Sequence, residues 1–248
     1  MNKLGFFFSF ILLIIQLYSV VISKTDDAQF KLRINERGTS FTEKISVSEN
    51  ENTVSFTVPK HNNVNRSEVL NDFNLGLTIT RVPDVGICHI KPLENILPNP
   101  VKLKDDMNYV NRLEGKTERK PSVRVSSTEW TIDEKLDPRD LEPAVAKFCR
   151  DLPVYSLKEA SKNGNDTHIK RHRRFFNICP EAIANGNSVK IKCSTDDWML
   201  NCKFVLSGTC VWWVNCTVPI KKVNNDWNNC DFSHDWTSIM CCVPWCKI

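Results

Sequence analysis

Residues 69–90 read VLNDFNLGLTITRVPDVGICHI, and this stretch decides the fold. Leu75, Leu77 and Ile79 alternate with polar residues, which predicts a half-buried strand. A turn at 83–84 leads into a second short strand, GICHI at 86–90. The same alternation occurs upstream in two segments, Phe30-Leu32-Ile34 and Val54-Phe56-Val58. Together these segments predict an antiparallel meander.

Beyond residue 90 the pattern is weaker. The prolines between 92 and 100 allow at most a short helix, and the charged stretch 102–121 lacks a sustained apolar period. We therefore expect an exposed, mobile connection there. Strands are predicted to resume over 123–132 and at 152–157, with Asp140 capping a helix between them that runs to Cys149.

The order of three residues and their surroundings resembles a known family. Asp72 precedes Cys88 in VLNDFNLGLTITRVPDVGICHIKPLE, and Cys149 follows in KFCRDLPVYSL at 147–157. This arrangement is similar to the BRICHOS domain of the Bri proteins, chondromodulin and the surfactant protein C precursor. The resemblance covers about residues 29–157, and the chain departs from it in having His89 where a tyrosine is frequent.

The resemblance implies an α+β fold, in which an antiparallel sheet of about five strands carries flanking helices and a disulfide joins Cys88 to Cys149. It also marks Asp72 as a family aspartate, although a lone aspartate in a strand is more often a surface residue or a turn former. The residues themselves favour the same disulfide, because these two cysteines are isolated from the other nine. Closing a loop of ~60 residues could add up to ~4 kcal/mol. Two free buried thiols are the alternative.

The N-terminus directs the chain into the secretory pathway. An uncharged apolar stretch at 4–23 is either a cleaved signal peptide or an anchor long enough to span the membrane. In both cases residues 24–248 are translocated, which makes the cysteines disulfide candidates. It also makes the sequons at Asn65, Asn165 and Asn215 candidate glycosylation sites.

A basic segment separates two regions of different composition. We divide the chain into a BRICHOS-like domain at 24–157, a polar linker at 158–174 and a cysteine-rich piece at 175–248. The linker ends in Arg171-His172-Arg173-Arg174, which fits the pattern that furin-type proprotein convertases cut, here after Arg174. A basic run can also be a solvated face or a membrane-surface patch.

The piece at 175–248 has the composition of a small disulfide-rich β module. It holds nine cysteines in 74 residues, and its six lysines balance six acidic residues. The balance of charge counts against a membrane-lytic peptide, and the lack of a C-x-x-C pair counts against zinc. The segment CKFVLSGTCVWWVNCTVPI at 202–220 is predicted to form a β-prone hairpin that turns at Ser207-Gly208.

These features favour a secretory proprotein without enzymatic activity. BRICHOS domains are understood to chaperone β-prone segments of their own precursors, so the expected partners are the C-terminal segment, a furin-type protease and, if the anchor stays, the membrane. The alternative is an uncleaved type II membrane protein with a cysteine-rich interaction module. No H-E-x-x-H, G-x-S-x-G or phosphate-loop motif occurs, no cofactor or metal is expected, and the near-neutral charge gives no nucleic-acid footprint.

Overall fold

A computed structural model describes residues 27–113, 123–160, 198–217 and 230–246, with the side chains of 207–217 and 230–239 in the last two ranges. Strands dominate this part of the chain. They are β1 (Ala28–Glu36), β2 (Thr39–Ser48), β3 (Thr53–Val58), β4 (Ser67–Asp72), β5 (Leu77–Val82), β6 (Ile87–Pro92), β7 (Val123–Lys135), β8 (Val154–Glu159), β9 (Trp198–Cys216) and β10 (Cys230–Cys246). Two α-helices, α1 (Pro100–Leu113) and α2 (Pro143–Cys149), and a 3-10 turn at Pro138–Asp140 complete it.

All ten strands belong to one sheet, in the order β1-β2-β3-β4-β5-β6-β8-β7-β10-β9. The first six form the predicted antiparallel meander. Beyond it, β8 runs parallel to β6 and antiparallel to β7, and β10 runs parallel to β7 and antiparallel to β9. The sheet curls, so that β9 at one end contacts β3 near the other.

The curl creates the largest hydrophobic core. Inward-facing residues of β1–β4, one face of α1 and the end of β9 pack together there, including Phe30, Ile45, Phe56, Leu103 and Trp213. A second core lies around Trp130 and Ile239, and a third surrounds the α2 helix. Strands β1, β2 and β3 largely alternate buried residues with more exposed ones, as a sheet with one covered face requires.

The prediction of a mobile connection after residue 101 is wrong for the described part of that stretch. Helix α1 runs to Leu113, and Leu103, Met107 and Val110 on one of its faces are buried. The Asn99 side chain accepts a hydrogen bond from the Lys102 N–H at 2.9 Å, as an N-cap does. Because apolar residues at i, i+4 and i+7 suffice when a neighbouring sheet covers them, the charged residues between them misled the sequence analysis.

The hairpin predicted within 202–220 is also wrong. Strand β9 runs straight through Ser207 and Gly208 and pairs along its length with β10. Gly208 does not form a turn but packs closely against Trp236, since an added Cβ atom would lie 3.0 Å from that ring. The actual hairpin therefore uses β10, whose alternation had not been singled out.

The expected fold class, α+β with a separate β module, needs correction as well. The structure is mostly sheet with a few helices, and β9 and β10 extend the sheet of the preceding domain. A smaller correction concerns α2, which begins at Pro143 with Glu142 as its N-cap residue. Asp140 lies in the preceding 3-10 turn, which Asp137 caps.

Candidate functional site

The functional surface suggested by this topology is the contact of the β9–β10 hairpin with the rest of the chain, called here the docking interface. At its edge, β10 pairs with β7 in parallel from Phe232 opposite Val123 to Met240 opposite Thr131. In the described structure, β7 pairs with β8 from Trp130 onward and the Glu129 carbonyl accepts a hydrogen bond from the Ala160 N–H, so residues 123–128 pair with β10 alone. The hairpin thus covers an edge that would otherwise be open to other strands.

Polar side chains reinforce this ladder. The Ser126 hydroxyl on β7 donates to Asp235 Oδ1 at 2.6 Å, and the Thr237 hydroxyl lies 3.4 Å from Oδ2 of the same carboxylate. Arg124 forms an ion pair with Asp231 at 2.7 Å. Asp235 is buried, so the donated hydrogen bond offsets part of the cost of removing its charge from water.

The Ser126 contact gives a first prediction. Replacing Ser126 with alanine leaves the buried Asp235 carboxylate short of one donor, and we expect a loss of about 1–3 kcal/mol in the free energy of unfolding. Ser127 is exposed, so Ser127→Ala is the matched control and should change the value by less than about 0.5 kcal/mol. Urea titration of the secreted full chain measures both, and equal losses in the two variants would contradict the assignment.

The β9–β10 hairpin is also contacted by a buried lysine side chain of the meander. Lys91 on β6 pairs with Glu94, and its ammonium lies 3.4 Å from the Thr237 hydroxyl of β10. The same ammonium lies 4.8 Å from the centre of the Trp130 ring, a distance suited to a cation–π interaction. A single side chain therefore links the meander, β7 and the hairpin.

Two acidic side chains bind the outer edge of β9. Because β9 is the last strand of the sheet in the described part of the chain, its backbone N–H groups have no strand partner on that side there. Glu43 on β2 accepts from the Trp212 N–H at 3.2 Å, and Asp106 on α1 accepts from the Cys216 N–H at 3.0 Å. Lys102 donates to the Cys216 carbonyl at 2.7 Å. These contacts occupy the outer edge of β9 at Trp212 and Cys216, where a further strand would otherwise bind.

Burial sets the ionisation of both acids. It raises the pKa of Glu43, which is fully buried, well above the usual value, and the Trp212 N–H partly offsets this effect. Burial also raises the pKa of Asp106, while the hydrogen bonds from Lys102 and Cys216 lower it. Sequence reasoning missed both residues. The available signal was an acidic residue at an inward position: Glu43 occupies the alternation of Phe41, Ile45 and Val47, and Asp106 lies beside Met107 on the apolar face of α1.

The structure joins Cys88 and Cys149 by a disulfide, with Cα atoms 5.6 Å apart. The bond fastens α2 to β6, and both residues are fully buried in the third core. A second disulfide links Cys216, the last residue of β9, to Cys230, the first residue of β10, at the end of the hairpin where the chain passes from one strand to the other. Next to the first bond lies His89, whose pKa burial lowers to about 3, with a further contribution from the charge of Lys91.

Asp72 closes a turn. Its Oδ1 accepts hydrogen bonds from the N–H groups of Asn74 and Leu75, both at 2.9 Å, between β4 and β5. The Asn74 amide in turn donates to the Glu51 carbonyl and accepts from Asn52, which connects two neighbouring turns. The geometry is that of a turn-forming aspartate.

This geometry gives a second prediction. Asp72→Ala removes the acceptor of two backbone N–H groups, and we expect the free energy of unfolding to fall by about 1–2 kcal/mol. Asp72→Asn keeps an oxygen at that place and should recover most of the loss. Thermal or urea unfolding of the two variants measures the difference, and similar losses in both would show that the turn does not depend on the acceptor.

The remaining predicted sites divide into two groups. Asn65, just before β4, and Asn215, on β9, are each half-buried. Asn165, the basic residues Arg171, Arg173 and Arg174, and the apolar stretch 4–23 lie outside the described residues. Within the described part of the chain, no helix is long and apolar enough to cross a membrane.

The fold combines an antiparallel meander of six strands with a disulfide that joins β6 to a short helix, and this helix leads into a strand parallel to β6. Residues 63–156 match the family model of the BRICHOS domain, and the chain therefore carries a BRICHOS domain. BRICHOS domains occur in proteins of the secretory pathway, and many of these proteins are made as proproteins. No curated protein and no solved structure shows significant similarity to the chain.

Proposed function

We propose that this protein is a secretory-pathway proprotein whose BRICHOS domain acts as an intramolecular chaperone for its cysteine-rich C-terminal segment. A furin-type convertase then cuts after Arg174 and frees the peptide 175–248. The domain has no enzymatic role in this account. It needs no cofactor and no nucleic acid.

The observation that carries the proposal is the position of the hairpin. Strand β10 pairs over nine residues with β7, and carboxylates of β2 and α1 bind the outer edge of β9. A strand of 19 residues that contains two adjacent tryptophans is prone to pair with other chains when its edges are open. Covering both edges is what a chaperone of this segment must do.

The pairing of the hairpin with β7 would also guide the formation of the hairpin disulfide. Register between β9 and β10 sets Cys216 opposite Cys230, which are joined in the structure. Because a slip by one residue would move every side chain to the other face, a template that fixes the register favours the correct pairing. The BRICHOS sheet supplies such a template through β7.

Cleavage is tested by intact mass spectrometry of material secreted by cells that express the full chain, before and after reduction. We expect a fragment that begins at Phe175, and its mass change on reduction counts its disulfides. Arg171→Ala should abolish this fragment, because convertases select arginine at that position. His172→Ala changes a position that the motif leaves open and is the matched control.

The other outcome would favour a different class of protein. If only the uncut chain appears, held on the membrane and starting at Met1, the proprotein account fails. The chain would then be a type II membrane protein that displays the docked hairpin as an interaction module.

A further inference from the structure

Three metal-ligating side chains converge where the hairpin meets the first strands. Glu36 ends β1, His61 lies in the loop between β3 and β4, and Cys210 lies on β9. Their ligand atoms all lie within 4.8 Å of one another. The ligand atoms of a tetrahedral zinc ion are separated by roughly 3.3–3.8 Å, given the usual bond lengths. Small rotations of the side chains would therefore bring all three ligand atoms within bonding distance of a single zinc ion placed between them.

Two of these atoms are buried without a hydrogen-bond partner among the described residues. They are His61 Nε2 and Glu36 Oε2, which lie 3.4 Å apart. The other ring nitrogen of His61, Nδ1, lies 2.8 Å from the Pro59 carbonyl oxygen. Donation from Nδ1 to that carbonyl leaves a lone pair on Nε2, directed at the carboxylate. A cation placed between these two acceptors would satisfy both.

The third ligand is a free, buried thiol. Cys210 Sγ lies 2.7 Å from His234 Nε2 on the neighbouring strand. Stacking fixes both imidazole rings: His61 lies 3.7 Å from the Phe41 ring, and His234 lies 4.2 Å from the Trp212 ring. Second contacts that orient a ligand are characteristic of metal sites.

We propose that Glu36, His61 and Cys210 bind one Zn²⁺ ion, with a water molecule as the fourth ligand. His234 is a positioning residue that donates a hydrogen bond from Nε2 to the bound thiolate. On binding, the thiol proton leaves to solvent and the sulfur bonds to the metal. Thiolate and imidazole ligands favour zinc over calcium or magnesium, which prefer oxygen.

The spacing of possible ligands along the chain does not indicate this set, because zinc motifs in a sequence are pairs of ligands a few residues apart. Glu36, His61 and Cys210 come from three separate segments, and only the curl of the sheet brings them together. Bound zinc would connect the N-terminal strands to the hairpin. The site requires a docked hairpin but not cleavage after Arg174, so the two ideas fail separately.

Cobalt substitution tests the site on the secreted full chain. We expect the folded wild type to bind one Co²⁺ ion with the near-ultraviolet charge-transfer band of a cobalt–thiolate bond, and Zn²⁺ to displace it. Cys210→Ser should abolish the band. Glu36→Gln and His61→Gln should weaken the binding of Zn²⁺ by at least about tenfold, and His234→Gln by about tenfold.

Glu49→Gln provides the matched control, because Glu49 is an exposed acid in the turn after β2 and pairs with Lys104. Its Zn²⁺ affinity should equal that of the wild type. Slow exchange of the amides within residues 123–128 that face β10 serves as the criterion that each variant is folded with its hairpin docked. No band in the folded wild type, or an unchanged band or affinity in folded Cys210→Ser or His61→Gln, would overturn the proposal.

Discussion

Replacing Cys88 and Cys149 together with alanine is expected to lower the free energy of unfolding by about 4 kcal/mol. The disulfide closes a loop of 61 residues, and the chain-entropy estimate for a loop of that length is about 4 kcal/mol. Alanine is the suitable substitute, because both sites are fully buried among apolar side chains and a serine hydroxyl there would lack a partner. Urea unfolding of the secreted chain measures the loss.

The hairpin disulfide is the matched comparison. Cys216 and Cys230 are 14 residues apart, so the same estimate gives about 3 kcal/mol for replacing that pair. We also expect the first replacement to expose the α2 helix to proteolysis, since the disulfide fastens that helix to β6. A loss below about 1 kcal/mol for the Cys88–Cys149 pair would show that packing alone holds the helix in place.

The second large expected effect is a loss of folding stability at acidic pH, caused by His89. In the folded chain, burial lowers the pKa of His89 to about 3, so the imidazole stays neutral above that pH. In the unfolded chain its pKa has the ordinary value of 6.5. Between these two values the unfolded state binds more protons, so stability is complete above pH 6.5 and falls as the pH decreases. At pH 4 the loss from this residue is about 3 kcal/mol.

His89→Leu removes this dependence. Both ring nitrogens of His89 lack a hydrogen-bond partner among the described residues, so the variant gives up no hydrogen bond there. We expect the difference in unfolding free energy between pH 7 and pH 4 to shrink by about 3 kcal/mol relative to the wild type. Urea titrations at the two pH values provide the number. An unchanged difference would mean that other groups cause the acid sensitivity.

The local patterns predicted the meander well. Alternation at Phe30–Ile34 and Val54–Val58 corresponds to β1 and β3, because one covered face imposes a period of two on each strand. The alternation of Leu75, Leu77 and Ile79 marked β5, but that strand begins at Leu77, and Leu75 is an exposed residue of the turn before it. Strands β2 and β4 were not singled out. In β2 a buried acid, Glu43, interrupts the apolar series, and its role is visible only when β9 lies beside it.

Long-range pairing was out of reach from the sequence. The contact of β10 with β7 joins residues more than 100 positions apart, across a segment that has the composition of a linker. The β10 sequence DFSHDWTSIM does not by itself indicate whether the strand pairs in parallel with another strand or stays at a solvent-exposed edge of the sheet. For the same reason, the site of Glu36, His61 and Cys210 could not be inferred from ligand spacing.

Amide hydrogen exchange in β7 tests the docked hairpin most directly. In the full chain, residues 123–128 pair with β10 and, within the described structure, with no other strand. Successive N–H groups of a strand point to opposite sides, so the protection of those that face β10 reports docking alone. We expect slow exchange in the full chain and exchange faster by at least about a hundredfold in a chain that ends at Arg174, while residues of β5 stay protected in both. Equal exchange, in the two chains, of the amides within 123–128 that face β10 would contradict the claim that the BRICHOS domain holds its own C-terminal segment.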